Sequence, residues 1–170
     1  MRPELILTLL ACGLILVSAA GLGAFGAARL RRRVRLLEGA AAGTAALIRQ
    51  IGYLAAPLPQ ALDTAARCAG EAGALFTAAA RFLREGDGVT GAEAWLAGAA
   101  EQGLAGEERI TALAAGLGET DGSRQLEQLR SCREELLAAA RQAEADYARF
   151  GKVWRSLGWC GGAVLVLLLM

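Results

Sequence analysis

The feature that most constrains this chain is an uncharged stretch of 24 residues near its amino terminus, from Leu5 to Ala28. As an α-helix rising 1.5 Å per residue it is roughly 36 Å long, which is enough to cross a hydrocarbon core of about 30 Å with some tilt. Five arginines follow it directly: Arg29, Arg31, Arg32, Arg33 and Arg35. Because clustered positive charges flank membrane helices on the cytoplasmic side, the sequence predicts a transmembrane helix over residues 5–28, with the amino terminus outside and the following residues in the cytoplasm.

A cleaved signal peptide and a lipoprotein acylation site are the alternatives for this segment. A signal peptide carries its positive charges before a shorter apolar core, whereas here they follow a long one. Leu9-Leu10-Ala11-Cys12 resembles an acylation site, yet the apolar stretch continues for 16 residues beyond Cys12. A retained membrane span is therefore the preferred interpretation.

A second apolar segment lies at the carboxyl end of the sequence. Residues 157–170 carry no charge, and these 14 residues make a helix of roughly 21 Å, which is short for a span. Residues 153–156 lengthen it, because Arg155 can extend its charge toward the headgroups. With Lys152 and Arg155 at its start, the sequence predicts a transmembrane helix over residues 153–170 that begins in the cytoplasm. A half-inserted or interfacial helix is the alternative.

Between these segments, composition and periodicity favour helices throughout. Ala and Leu dominate, β-branched residues are scarce and there are only three prolines, a balance that favours helix over strand. The prediction is an all-α, membrane-anchored protein whose cytoplasmic bundle, residues 29–152, has about six helices. The first three helices are predicted over residues 30–53, 59–69 and 71–84. The fourth is opened by a Thr90–Glu93 capping box and carries Trp95, the fifth covers residues 106–117, and the sixth is a long last helix that contains Leu126.

The last helix carries an apolar seam that advances by three and four residues. The seam consists of Leu126, Leu129, Arg133, Leu136, Ala140, Ala143, Tyr147, Phe150 and Trp154. Such a seam packs either against the other helices of its own bundle or against a second copy of the chain, so a homo-oligomer stays open. Arg133 is its one charge and must reach water or an acid.

Composition removes most catalytic chemistry. The chain has no His, and therefore no imidazole base and no Cys/His zinc site. Its four cysteines are widely separated, which is typical of small buried apolar residues in a reducing compartment: Cys12, Cys68, Cys132 and Cys160. We predict no catalytic residue, no metal, no cofactor and no small-molecule substrate, and rank an enzyme third among the function classes.

The charge is unevenly distributed along the chain. Residues 1–59 carry a net +5, residues 60–121 carry −6 and residues 122–170 carry +2. Nucleic-acid binding needs one continuous positive face, so this pattern argues against it. The acidic middle offers a partner-binding face through Glu101, Glu107, Glu108 and Glu119. The alternative is a solvated face that keeps an Ala-rich bundle soluble.

One motif resembles a known family. Leu117-Gly118-Glu119-Thr120-Asp121, with Gln125 four residues on, is similar to the Leu-Gly-x-Ser/Thr-Asp-x-x-x-Gln signature of the stage III sporulation protein AB family. Residues 57–62, 92–95 and 154–158 add shorter matches in the same order. From local physics, Gly118 is expected to end the fifth helix in a left-handed conformation. Asp121 or Thr120 then caps the sixth helix, with Gln125 in its first turn.

The resemblance implies a function that the residues alone do not. It implies a mother-cell membrane complex facing the forespore, with other stage III subunits and a neighbouring ATPase, stage III sporulation protein AA, as partners. It also implies a cytoplasmic domain similar to the F domain of the non-enzymatic platform proteins of type II secretion and type IV pilus machines. The alternative function is a membrane-tethered helical scaffold or regulator acting through the long last helix.

Overall fold

The computed structural model describes the backbone of residues 3–118 and 121–169 and the side chains of residues 25–118 and 121–149. Every regular element within these residues is helical and none is a strand, which confirms the all-α prediction. The chain divides into two compact units, Met1–Arg33 with Ala143–Met170, and Val34–Gln142. The side-chain packing described below belongs to the second unit.

Within residues 3–118 and 121–169 the fold consists of two long α-helices, five shorter α-helices and one 3₁₀ turn. Helix α1 spans Pro3–Leu54 and helix α7 spans Gly122–Leu169. Between them lie α2 (Leu58–Cys68), a 3₁₀ turn (Gly70–Ala72), α3 (Gly73–Glu85), α4 (Gly91–Glu101), α5 (Glu108–Thr111) and α6 (Leu113–Leu117).

The predicted membrane segments fall within the two long helices. Both predicted boundaries, after residue 28 and after residue 152, lie inside continuous helix. Apart from residues 25–28, the predicted spans 5–28 and 153–170 lie outside the residues whose side chains are described. Within the part of the chain that the structure describes, no helix has both the length and the apolar character that crossing a bilayer requires.

Helix α1 approaches its neighbours closely because two glycines face them. A Cβ atom at Gly39 would lie 2.1 Å from the carbonyl oxygen of Ala69, and one at Gly43 would lie 2.6 Å from Cζ of Phe76. Contacts this short leave no room for any side chain. The two glycines therefore allow α1 to pack directly on the corner between α2 and α3.

The centre of the core is Trp95, which is fully buried on α4. Its indole N–H donates a hydrogen bond of 2.7 Å to the carbonyl oxygen of Ile110. The ring of Phe76 meets it edge-to-face, with the centroids 4.9 Å apart and the planes at 71°, the geometry that aromatic quadrupoles favour. One side chain thus joins α3, α4 and α5.

The predicted capping box at the start of α4 is confirmed. The hydroxyl oxygen of Thr90 accepts from the backbone N–H of Glu93 at 3.3 Å, and the Glu93 carboxylate accepts from the backbone N–H of Thr90 at 2.9 Å. The hydrogen bonds from the backbone N–H and then the hydroxyl of Thr90 hold the pKa of Glu93 below its ordinary value of 4.5.

The predicted fifth helix, 106–117, is wrong in its continuity. The structure has two short helices instead, α5 and α6, which meet at Ala112, and Gly106 lies outside both. The carbonyl of Ile110 accepts from Trp95, and the carbonyl of Ala112 accepts from the Ala115 N–H three residues on, at 3.2 Å. A bond from the core to Ile110 and a local three-residue turn at Ala112 thus stand where a continuous helix would have its hydrogen-bond ladder.

The seam of the last helix packs within its own bundle as far as residue 140. Leu129 and Leu136 are fully buried and Ala140 is 4% exposed. A Cβ atom at Gly116 would lie 3.1 Å from Leu129 Cδ2, so α6 packs against this face of α7. Of the two alternatives for the seam, these residues adopt the first.

Candidate docking surfaces

The corner between α6 and α7 carries the residues of the sequence signature. Gly118 has φ −88° and ψ −9°, so the prediction of a left-handed conformation is wrong. The glycine packs closely instead, because a Cβ atom there would lie 3.1 Å from the Cβ of Ala92. A Cβ atom at Gly91 would likewise lie 2.5 Å from the carbonyl oxygen of Leu117. The corner is therefore held against the start of α4.

Asp121 opens α7 in the way that the sequence predicts. Its Oδ1 accepts from the backbone N–H of Ser123 at 3.1 Å and from the Ser123 hydroxyl at 2.9 Å. Its carbonyl oxygen accepts from the backbone N–H of Gln125 at 2.8 Å, which confirms Gln125 in the first turn. Glu119 and Thr120 lie outside the described residues. The described contacts of this corner fix the start of a helix, and a binding role for it remains a prediction.

The acidic residues singled out from the sequence have different environments. Glu101, the last residue of α4, forms an ion pair with Arg81 of α3. Glu107 is half-buried at the position that precedes α5, and Glu108 is exposed in its first turn. No local sequence pattern indicates that Arg81, 20 residues from Glu101, pairs with it. Their role as a partner face remains a prediction.

The basic residues that follow the predicted first span lie on about two successive turns of α1. Arg29, Arg31, Arg32 and Arg33 are exposed. Arg35 instead places its Nε 2.6 Å from the carboxylate of Glu71, which joins α1 to the 3₁₀ turn. The side chains of Lys152 and Arg155 lie outside the described residues. Arg35 is thus a bundle contact as well as a membrane-flanking candidate.

The two described cysteines differ in environment. Cys132 is buried as predicted, and burial, followed by the negative charge of Glu135, raises the pKa of its thiol. Cys68 is exposed at the end of α2, so the prediction that it is a buried apolar residue is wrong. The helix ends at Cys68, and the neighbouring Ala69 takes the buried place. Among the described residues there is no cluster of three metal-ligating side chains.

Sequence reasoning missed a groove between α1 and α7. It has a volume of about 380 Å³, and its polar lining consists of Arg49, Tyr53, Arg130, Arg133 and Glu134. We call it the arginine groove. The apolar seam of the last helix includes Arg133 but not Arg49 or Tyr53, because the two walls lie some 80 residues apart in the sequence and periodicity is a local signal.

These features define an all-α protein whose described polar chemistry lies in ion-paired surfaces and a basic groove. The family model described as stage III sporulation protein AB matches residues 8–170, and the chain belongs to this family. The resemblance drawn from residues 117–125 is therefore confirmed, and membership implies a role in stage III of sporulation. No curated protein and no solved structure matches the chain.

Proposed function

We propose that this chain is a non-enzymatic platform subunit of a secretion-like complex between mother cell and forespore. Residues 5–28 and 153–170 anchor it in the mother-cell membrane, and the helical domain 29–152 docks the neighbouring ATPase in the cytoplasm together with other subunits of the complex. The observation that carries the proposal is the family match over residues 8–170.

The sequence pattern at both ends supports the membrane anchor. Arg29, Arg31 and Arg32 are exposed on α1 directly after the uncharged stretch, as expected for side chains at the headgroups of the cytoplasmic leaflet. Helix α1 continues from Pro3 to Leu54 without a break. The anchor and the first helix of the domain would then be one continuous helix.

The packing of Val34–Gln142 supports a docking role. Its core is closed around Trp95, and ion pairs join its helices at the surface, among them Arg84 with Asp63 and Arg109 with Glu135. A domain that keeps its shape on binding presents preformed surfaces to a partner. Exposed ion pairs each contribute little stability, so these charges can exchange partners at small cost.

Co-purification tests the proposal. The tagged full-length chain is isolated in non-ionic detergent with the ATPase encoded beside it. We expect the ATPase to co-elute and the complex to weaken as salt rises, because charges in contact are screened over about 8 Å at physiological ionic strength. Absence of the ATPase from the wild-type eluate, with both proteins folded, contradicts the proposal.

A charge reversal tests the acidic face in the same assay. Glu107→Lys/Glu108→Lys is compared with Glu127→Lys/Glu144→Lys, which makes the same change in net charge at exposed positions of α7. A loss confined to the first variant supports docking through Glu107 and Glu108. Equal binding by both variants places the ATPase elsewhere on the domain while leaving the platform role intact.

The alternative is a scaffold that self-associates through the apolar seam of α7, but part of that seam is already buried within the bundle. Leu129, Leu136 and Ala140 are buried inside the bundle. Leu136→Glu would therefore unfold the core instead of separating two copies. Sedimentation of the wild-type chain over a range of concentrations is the better test, since a tight dimer that lacks ATPase binding would favour the scaffold.

A further inference from the structure

We propose that the arginine groove is a docking site for an acidic segment of a partner protein, held by carboxylate side chains. The groove lies within the Val34–Gln142 unit. Its lining shares no residue with the acidic face and is opposite to it in the sign of its charge.

The first observation is the charge of the lining. The groove lining has one acidic residue, Glu134, against three basic ones, Arg49, Arg130 and Arg133. Elsewhere on the domain Arg35, Arg81, Arg84 and Arg109 each reach a carboxylate across the bundle. Within residues 25–118 and 121–149, none of the three groove arginines forms an ion pair. The groove therefore has an uncompensated positive field that favours an anion.

The second observation is an unsatisfied donor. The Nε atom of Arg133 is buried and has no hydrogen-bond partner among the described residues. Leaving a buried donor of a charged group unpaired is unfavourable, more so than for a neutral group. A guanidinium binds a carboxylate side-on through Nε and one terminal nitrogen. A carboxylate entering the groove would supply the missing acceptor.

The third observation is the rim, which indicates a protein as the source of the carboxylate. Tyr53 lines the groove and is 82% exposed, and its neighbour Leu54, the last residue of α1, is 66% exposed. Tyr and Arg together are typical of binding hot spots between proteins, whereas a free ion needs no apolar rim. An acidic residue beside an apolar one matches both parts of the site.

Two helices fix the geometry of this site. Arg49 and Tyr53 are four residues apart on α1, and Arg130 and Arg133 are three apart on α7, so each pair lies on one helical face. A Cβ atom at Gly52 would lie 3.3 Å from Leu126 Cδ1, so α1 and α7 approach closely at the end of the groove. The two helices that carry the arginines are therefore held together before any partner arrives, which lowers the ordering cost of binding.

Fluorescence anisotropy with the full-length chain in non-ionic detergent tests the inference. The probe is a labelled short peptide with two glutamates flanking a leucine, and the comparison peptide has glutamines in their place. Because charge-assisted hydrogen bonds of this kind contribute about 1.5–3 kcal/mol, we expect the acidic peptide to bind at least about tenfold more tightly. Equal affinity for the two peptides would overturn the proposal.

Matched variants locate the binding. We expect Arg130→Gln/Arg133→Gln to weaken the acidic peptide about tenfold, while Arg67→Gln/Arg141→Gln, at exposed positions outside the groove lining, leaves it nearly unchanged. Tyr53→Ala removes a highly exposed side chain, leaves the fold intact and should weaken binding severalfold. Equal losses in the two arginine variants would mean general charge attraction and would contradict a defined site.

Two further measurements distinguish an acidic protein segment from other occupants of the groove. If inorganic phosphate displaces the peptide at equal concentration and Tyr53→Ala has no effect, the groove binds a small oxyanion, free or on a lipid, and the proposal is overturned. If sedimentation shows a wild-type oligomer that Arg130→Gln/Arg133→Gln dissociates, the occupant is a second copy, and the proposal is again overturned. A monomer that binds the acidic peptide in preference to phosphate supports it.

Discussion

The indole nitrogen of Trp95 donates a hydrogen bond of 2.7 Å to the carbonyl oxygen of Ile110, and both side chains are fully buried. This bond joins α4 to α5 and occupies a carbonyl that a continuous helix over 106–117 would use for its own ladder. The same contact thus closes the core and interrupts the predicted fifth helix.

Replacing this tryptophan tests its importance. Trp95→Phe leaves the Ile110 carbonyl without its partner and opens a cavity, so we expect a loss of about 2–3 kcal/mol in the free energy of unfolding. Leu96→Ala, at the neighbouring exposed position, should change it by no more than about 0.5 kcal/mol. Chemical denaturation followed by circular dichroism measures both. Equal effects would mean that Trp95 is not the centre of the core.

The close approach of α1 to the α2–α3 corner predicts opposite outcomes for two Gly→Ala changes. Gly39→Ala would place Cβ 2.1 Å from a backbone oxygen that cannot move freely. The overlap should outweigh the gain in helix propensity, for a net loss of about 1–2 kcal/mol. Gly122→Ala, with no neighbouring atom within 4 Å, should be neutral or slightly stabilising. A Gly39→Ala protein as stable as the wild type would contradict the packing described here.

The capping box predicts a pH-dependent difference between the wild type and Glu93→Gln. Because the folded-state pKa of Glu93 is lowered by its hydrogen bonds from Thr90, its contribution to stability is present above the unfolded-state pKa and is lost as pH falls through the folded-state value. The wild type should therefore lose stability relative to Glu93→Gln as pH falls below 4.5. Thermal unfolding at a series of pH values measures this difference. The stability difference should shrink in a Thr90→Ala background, where one of the two donors to Glu93 is gone. A difference that does not change with pH would contradict a lowered pKa for Glu93.

The start of α7 depends on Asp121. Asp121→Ala removes the acceptor for the Ser123 N–H and should cost about 1 kcal/mol. Asp121→Asn keeps an acceptor oxygen and should cost less. If both substitutions are equally destabilising in denaturation experiments, the charge and not the hydrogen bond supports the helix start.

The sequence predicted best where one local rule decides the structure. The Thr90–Glu93 spacing gave the start of α4, and Pro57 and Pro59 placed the start of α2 within one residue of Leu58. The stripe of Ile110, Leu113 and Leu117 is buried as its spacing indicates. In each case the interacting groups lie within about one helical turn of each other.

Prediction from the sequence failed where contacts between distant segments determine the structure. The place of Gly118 at a helix end predicts a left-handed conformation, but its backbone is right-handed and it packs closely on Ala92 of α4. Cys68 was assigned to the interior from its residue type alone. The arginine groove joins Arg49 to Arg130 and Arg133, and no pattern within one helix reveals a site shared by two.

The central claim is that the helical domain faces the cytoplasm, and the exposed Cys68 allows a direct measurement. In a Cys12→Ala/Cys160→Ala chain only Cys68 and Cys132 remain, and burial with a raised pKa makes Cys132 slow to react. An added Arg2→Cys in a parallel chain reports that a membrane-impermeant maleimide reaches the outer face. In vegetative cells made to express the chain, where the outer face of the membrane is open to the medium, the account predicts that Cys68 is labelled only after permeabilisation, while residue 2 is labelled in intact cells. Labelling of Cys68 in intact cells would contradict it.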